Sequence, residues 1–273
     1  MRVLTFNIWQ LPLVSLIGPR RRRARLCASL IERVAPDVVV LNEAFALSPA
    51  VGLVAELRRR GYVATCQVGR TGHWSGVSGR RGTVSRLVGG GVRVLSRFPI
   101  GHRYQHVYRS YRSWTSDAWC NKGVALVSLD APGGRVWLAA THLQSDTFDT
   151  SRRTRLAQLA ELRGLVDRVV PVGEPVLIAG DLNICYDRVD GEAAAANQVL
   201  RGRIEPDGAM HAPTFDRSSN PLVRGRFYRD VLDYVGRLAG AWDIRTETLG
   251  YRPGEEISDH FPVLAEVFPG GPR

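Results

Sequence analysis

The polar residues best equipped for chemistry in this sequence share one kind of position. Asn7 ends the apolar run VLTFN, Glu43 ends VVVLNE, His142 ends VWLAATH, and Asp181 and Asn183 end VLIAGDLN. Asp233 sits inside VLDYV, and Asp259 and His260 immediately precede FPVLAEVF. Strand ends on one edge of a sheet converge on one place, which is where α/β folds put function. Taken singly, a strand-end Asn or His is more often a cap or a loop hydrogen-bonder than a catalyst, so the inference rests on the set. Glu43 is a hard oxygen ligand and Asn7 offers an amide oxygen. Together they suit Mg²⁺, which takes one or two carboxylates and leaves water and phosphate oxygens to complete its octahedron. Two histidines with Asp181 and Asn183 then serve phosphate chemistry. A histidine paired to Asp259 has its tautomer fixed and its basicity raised, as a general base requires. A cation facing the phosphoryl oxygen offsets transition-state charge. The set describes metal-assisted hydrolysis of a phosphodiester or phosphomonoester.

The elements that must position these groups read as an alternation of strands and helices. Residues 2–8 form a strand. The run Arg20, Arg21, Arg22, Arg23 and Arg25 leads into ARLCASLIERV, a helix by its apolar spacing, stopped by Pro36. DVVVLNE is a buried strand, 49–60 a helix closed by Gly61, and 62–68 another strand. Residues 69–91, rich in Gly, Ser and Arg, read as loop with an edge hairpin. VRVLSRF, KGVALVSLD and RVWLAATHL follow as strands, the last two joined at Pro132-Gly133-Gly134. A long helix over 151–170 presents Leu156, Leu159, Leu162, Leu165 and Val166 on one face. PVLIAGDLN is a strand, 192–200 a short helix, and VLDYV, WDIRTETL and FPVLAEVF close the chain before a frayed PGGPR tail. No repeat or linker separates two cores, so residues 1–273 read as one α/β domain.

Composition narrows the partners. The 273 residues are 44% hydrophobic and 23% charged, which excludes a disordered, collagen-like or coiled-coil chain. No apolar run reaches the roughly 18–20 residues of a membrane span. Met1-Arg2 runs straight into a strand-like segment, without the cationic, apolar and small-residue succession of a signal peptide. The expectation is a cytoplasmic protein, or one secreted after processing. A net charge of +11, almost all arginine with the single lysine Lys122, fits a polyanionic partner: nucleic acid, an anionic membrane or a phosphorylated substrate. Cys27, Cys66, Cys120 and Cys185 lack zinc-site spacing.

The segments TFNIW, LNEAF, LSRFPI, THLQS, GDLN, LDYV and SDHFPV occur in the order found in the endonuclease/exonuclease/phosphatase superfamily, which the chain resembles from residue 3 to about 267. The resemblance implies a four-layer α/β sandwich, two packed, mainly antiparallel sheets flanked by helices, and magnesium-dependent phosphoesterase activity, with Mn²⁺ or Co²⁺ as substitutes. It implies roles for residues: Glu43 as principal metal ligand with Asn7 beside it, and His260 as the base that activates water, oriented by Asp259. Asp181 positions the water or the metal, Asn183 binds the scissile phosphate, and His142 donates to a phosphate oxygen. Asp233 matches a supporting position that holds an active-site histidine.

CNKGVALVSL, THLQS with Gln144, and SDHFPV resemble the neutral sphingomyelinase branch, which cleaves sphingomyelin to ceramide and phosphocholine. Lys122 stands five residues after Asp117, and an Asp117–Lys122 ion pair near the substrate phosphate is expected. Tyr111, Trp114 and Trp119 crowd a polar stretch and fit the headgroup zone of a peripheral membrane surface. The Arg20–Arg25 run would add attraction to anionic lipid. Two features depart from secreted members of the branch. The segment between Asp233 and Asp259 is short for their aromatic hairpin, and residues 144–155 hold no cysteine to pair with Cys120. Alternatives within the superfamily are a DNA endonuclease, of abasic-site or non-specific type, and an inositol-phosphate phosphatase. A degenerate binding protein would have lost Glu43 or His260. The expected oligomeric state is a monomer.

Overall fold

Alternation within the apolar strands decides the layers of this fold. In the computed structural model, residues 1–11, 19–80, 88–186, 191–205, 212–223 and 229–270 are described. The first sheet holds β1 (Arg2–Gln10), β2 (Val38–Ala44), β3 (Val63–Ala64), β5 (Arg93–Ser96), β13 (Trp242–Thr248) and β14 (Val263–Pro269), in the order β13-β14-β1-β2-β5-β3. The second holds β4 (Gly76–Gly79), β6 (Ile100–Val107), β7 (Gly123–Ala131), β8 (Gly134–His142), β9 (Val176–Asp181) and β12 (Asp233–Ala239), in the order β12-β9-β8-β7-β6-β4. Both sheets are mixed. Only β1–β2, β8–β9 and β4–β6 pair in parallel, and β10 (Phe215–Asp216) with β11 (Arg229–Asp230) forms a separate ribbon.

One set of side chains faces the opposite sheet. Val3, Val38, Val40, Ala125, Val127, Leu138, Ala140, Leu177 and Ala179 share one core cluster between the sheets. Their neighbours in the chain face outward. Leu4, Phe6, Val39 and Leu41 pack on α1 (Pro19–Val34) and α2 (Ala50–Arg59) through Cys27, Ile31, Leu53 and Leu57. Leu126, Ala139 and Ile178 pack on α3 (Asp149–Val169) and α4 (Glu192–Leu200) through Leu159, Leu162, Val166 and Ala196. The result is helices, sheet, sheet, helices, the four-layer sandwich expected. A strand buried on both faces reads as a nearly continuous apolar run, which is why VVVLN and VLIAG carry so little polar alternation.

The same parity places chemistry. Asn7 follows Val3 by four residues, Asn42 follows Val40 by two, and His142 and Asp181 follow Ala140 and Ala179 by two. All four therefore lie on the inter-sheet face, at the ends of their strands, where hydrophobic filling stops.

Several elements differ from the sequence-based expectation. The 62–68 strand shrinks to Val63–Ala64, an edge pairing with β5. No hairpin forms in the described part of 69–91; Gly76–Gly79 instead adds to the edge of β6 in parallel. The expectation also lacked β6 itself, because IGHRYQHV shows three successive polar or Gly positions that mask the burial of Gln105, His106 and Val107. Between Asp233 and Asp259 the chain makes β12, a tight connection and β13 (Trp242–Thr248), with no long aromatic hairpin. All four cysteines are free. Among the described residues no helix is long and apolar enough to cross a membrane. Residues 271–273 of the tail lie outside the described residues.

Candidate active site

The strand ends converge on one cleft of about 460 Å³, lined by Glu43, Lys122, His142, Asp181, Asn183, Asp259 and His260 together with Trp9, Phe45, Phe148 and Phe215. Glu43 arrives there by an irregularity. By parity it would point to the helix layer. It adopts φ 53° instead, as Trp9 on the neighbouring strand adopts φ 46°, and the β1–β2 register shifts between Asn7 and Gln10. A bulge at paired strand ends re-aims a side chain in this way, and left-handed backbone at a non-glycine residue is strain concentrated at a functional place. Gly91 permits it: a Cβ there would sit 3.0 Å from Glu43 Cα.

Asn7 ties the acidic groups of the two sheets. Its Nδ2 donates to Glu43 Oε1 at 3.2 Å and to Asp181 Oδ2 at 2.9 Å, while its Oδ1 accepts from the Trp9 N–H. Asn42, absent from the sequence-based set, spans the sheets as well. It donates to Thr141 O and accepts from the Asp181 N–H. Nothing marks Asn42 except its place beside Glu43.

His260 carries the clearest catalytic geometry. Its Nδ1 lies 2.8 Å from Asp233 Oδ2, and its Nε2 lies 3.8 Å from Asp181 Oδ2. The expected partner Asp259 does not orient the ring. Its carboxylate accepts from Ser258 Oγ and faces the cleft. Asp233 thus holds the proton on Nδ1 and leaves Nε2 as the basic nitrogen. The Thr214 hydroxyl accepts from the Asp233 N–H, and the Phe215 ring meets His260 edge-on. Burial opposes a charge on His260, but Asp233 and Asp181 outweigh it and hold the ring above its ordinary range. Burial pushes Asp233 up to about 6 despite His260.

His142 is held differently. Its Nε2 lies 3.1 Å from Lys122 Nζ and 3.4 Å from Asp181 Oδ2, and burial with the Lys122 charge pushes it down to about 4. The neutral ring accepts from Lys122. Its Nδ1 is buried without a partner, and Lys122 Nζ also donates to the Leu143 carbonyl at 2.6 Å. The expected ion pair is present, with Lys122 Nζ 2.9 Å from Asp117 Oδ2. Asp117 also accepts from Gln144 Nε2 and from the Ser145 N–H and Oγ. Burial works against its charge, but Lys122 and His142 hold it below the usual carboxylate range. Asn183, with φ 51°, donates from Nδ2 to Leu143 O at the cleft wall.

The site fits a cation at Glu43. Its Oε2 is buried with no partner, and burial together with Asp259 pushes the carboxyl up to about 7. A buried carboxylate oxygen without a donor is an incomplete ligand set. Asn7 joins it only by turning its amide away from Trp9. Asp181, Asp233 and His260 also offer atoms within 4.8 Å of one another, but the Asp233 and His260 atoms that meet are spent on each other. When bound, a divalent cation supplies charge against the gathered carboxylates and polarises a phosphoryl oxygen.

A family model described as Endonuclease/Exonuclease/phosphatase matches residues 4–260. The chain belongs to that family. Relatives of this endonuclease/exonuclease/phosphatase protein include sphingomyelinase C of Listeria ivanovii, 28% identical over 84% of this chain and 74% of its own length. The solved sphingomyelinase C of Streptomyces griseocarneus superposes with a TM-score of 0.81 at 27% identity, covering 97% of this chain and 98% of that one. A Staphylococcus aureus beta toxin mutant with bound magnesium ions gives 0.82 at 25% identity, covering 97% and 98%. The protein is a phosphoric diester hydrolase of the metal-dependent kind.

Proposed function

We propose that the protein cleaves sphingomyelin to ceramide and phosphocholine in the manner of a sphingomyelinase C, using Mg²⁺ held at Glu43 with Asn7. His260 Nε2 takes the proton of the attacking water, and Asp233 keeps the ring in the tautomer that permits this. Asp181, between the two histidines, orients the water. Lys122, His142 and Asn183 bind the phosphate oxygens on the opposite wall, and Asp117 holds Lys122 there. Mn²⁺ or Co²⁺ would serve the same oxygen ligand in part.

The observation that carries this reading is the partnerless Oε2 of Glu43 beside a His260–Asp233 pair, in a cleft walled by Trp9, Phe45, Phe148 and Phe215. Aromatic walls suit a lipid headgroup and its glycerol or ceramide root better than a bare inorganic phosphate. The relatives' names point the same way. The net charge of +11 favours nucleic acid as the second reading. Phosphocholine release from sphingomyelin vesicles, measured with Mg²⁺ and with EDTA beside plasmid nicking, separates the two. Release with Mg²⁺, lost in EDTA and without nicking, is expected. Nicking without release would replace the lipid reading with a nuclease.

A further inference from the structure

Five Phe, Tyr and Trp rings stand exposed among the described residues, and four of them lie on two loops at the cleft. Trp114 is 100% exposed and Trp119 71%, with Tyr111 on the same loop and Phe148 on the segment that follows His142. Rings of this size normally bury most of their area, so a gathering in water marks a surface meant to be covered. Trp114 adopts φ 63°, a strained backbone for a residue with a Cβ.

The rings alternate with cations. The Arg80 guanidinium lies 4.0 Å over Tyr111 and that of Arg112 lies 4.6 Å over Phe148, while Arg109 is exposed at the start of the loop. The two guanidinium groups also tie the loop down: Arg80 Nη2 donates to Cys120 O, and Arg112 Nη1 donates to Ser151 Oγ and lies 3.7 Å from Asp146 Oδ2. Trp and Tyr beside arginine, spaced by Ser and Thr, is the chemistry of a headgroup zone, where one end of each side chain is apolar and the other wet.

The surface is continuous with the catalytic cleft. Phe148, Ser116, Asp117 and Cys120 line it, and Trp119 closes the same 3₁₀ turn, Ser116–Trp119, that carries Asp117. The base of the loop is fixed, since Glu161 accepts from the N–H groups of Arg109 and Ser110. Whatever covers the rings therefore meets the mouth of the cleft.

We propose that the loop 109–120, with Phe148 beside it, docks the protein on a phospholipid bilayer and sets the cleft against the headgroups. This rests on the lipid reading above, and it supplies a membrane contact in a chain whose segment between Asp233 and Asp259 makes no long aromatic hairpin.

The test uses the full chain with Trp114→Ser, Trp119→Ser and the double substitution. Partition onto sphingomyelin–phosphatidylcholine vesicles is measured by co-sedimentation. Turnover is measured on soluble p-nitrophenyl phosphorylcholine, and thermal melting reports the fold. The double variant is expected to lose about tenfold or more in partition, the equivalent of roughly 1.4 kcal/mol. Its melting temperature is unchanged, and its rate on the soluble substrate stays within about twofold of the parent's. The tryptophan emission shifts to the blue on vesicle addition in the parent and not in the double variant. Equal partition of parent and variant overturns the proposal. So does an equal loss of the soluble rate in a folded variant, which would place the rings in the site. So does a concentration-dependent dimer abolished by the substitutions with partition unchanged, which would make the rings a protein interface. Failure of the substrate reading looks different: partition by the parent persists, and no phosphocholine appears.

Discussion

Two carboxylates near His260 are candidates to orient it, and the structure separates them by a distance. Asp233 Oδ2 is 2.8 Å from Nδ1, while Asp259 bonds Ser258. Asp233→Asn offers an amide that can hold the wrong tautomer, and turnover should fall about 10²–10⁴-fold, the range for disabling a positioned base. Asp259→Asn should lose less. Steady-state rates of the two purified variants decide between them, and an equal loss would return the orienting role to Asp259. Glu43→Gln and His260→Ala should each abolish turnover with circular dichroism unchanged. Glu43 also makes a prediction about stability. Its carboxyl is pushed up to about 7 in the fold, against about 4.3 in an unfolded chain. A group raised in this way favours the fold most below its unfolded pKa, and that contribution is lost as pH rises through the folded value. In EDTA, the parent should lose stability between about pH 4.5 and 7. Glu43→Gln should show a flatter profile in urea melts across the same window.

At the scale of elements, α3 does more than cover the second sheet. Its buried side carries Ser151, Arg155 and Gln158 among the leucines. Arg155 is wholly buried and grips Glu192 of α4 through Nε and Nη2, at 2.7 and 3.0 Å. Its Nη1 donates to the carbonyls of Gln144 and Asp146. Gln158 accepts from the Gln144 N–H and donates to Ser110 O. The helix thus holds the segment after His142, and with it Asp117. Arg155→Met takes two charge-assisted hydrogen bonds from the buried Glu192, leaving Arg152 at 3.8 Å, and should cost about 3 kcal/mol. Chemical denaturation should show that loss, and pairing it with Glu192→Leu should recover much of it. Glu161 works at the other end, accepting from His106 Nε2 and from the N–H groups of Arg109 and Ser110. Burial opposes its charge, but these donors bring it down to about 2. The stability it contributes is therefore present above its ordinary range and lost as pH falls toward 2. The melting deficit of Glu161→Gln should be full at pH 7 and vanish near pH 2.

For the whole molecule, the site is a seam. Asn7 and Glu43 come from one sheet and Asp181, Asp233 and His142 from the other. Carboxylates facing each other across the seam repel, so a cation held between them should bind the folded chain in preference to the unfolded one. Mg²⁺ at 100 times its dissociation constant would add about 2.7 kcal/mol by mass action. The melting temperature should rise with Mg²⁺ in the parent and stay fixed in Glu43→Gln. A rise of equal size in both would move the cation away from Glu43.

The sequence by itself determined the alternation, and through it the layers. A two-residue period puts Asn7, His142 and Asp181 on the same face as Val3, Ala140 and Ala179, and the packing of sheet on sheet made that face the inter-sheet one. The Asp117–Lys122 pair was legible for a local reason, since the two are five residues apart, Asp117 in a 3₁₀ turn and Lys122 just after it. Other facts belonged to the tertiary structure alone. Glu43 reaches the cleft against its parity through a bulge that Gly91, 48 positions later, makes room for. Asp233 rather than Asp259 faces His260 because β12 and the loop before β14 meet only in three dimensions. Asn42 and Arg155 gave no signal at all, since a sequence shows which groups are polar and not which buried donors they must satisfy. The strand β6 was hidden for the opposite reason: its polar residues are buried by partners, Glu161 and Ser78 on His106 among them, that lie far away in the chain.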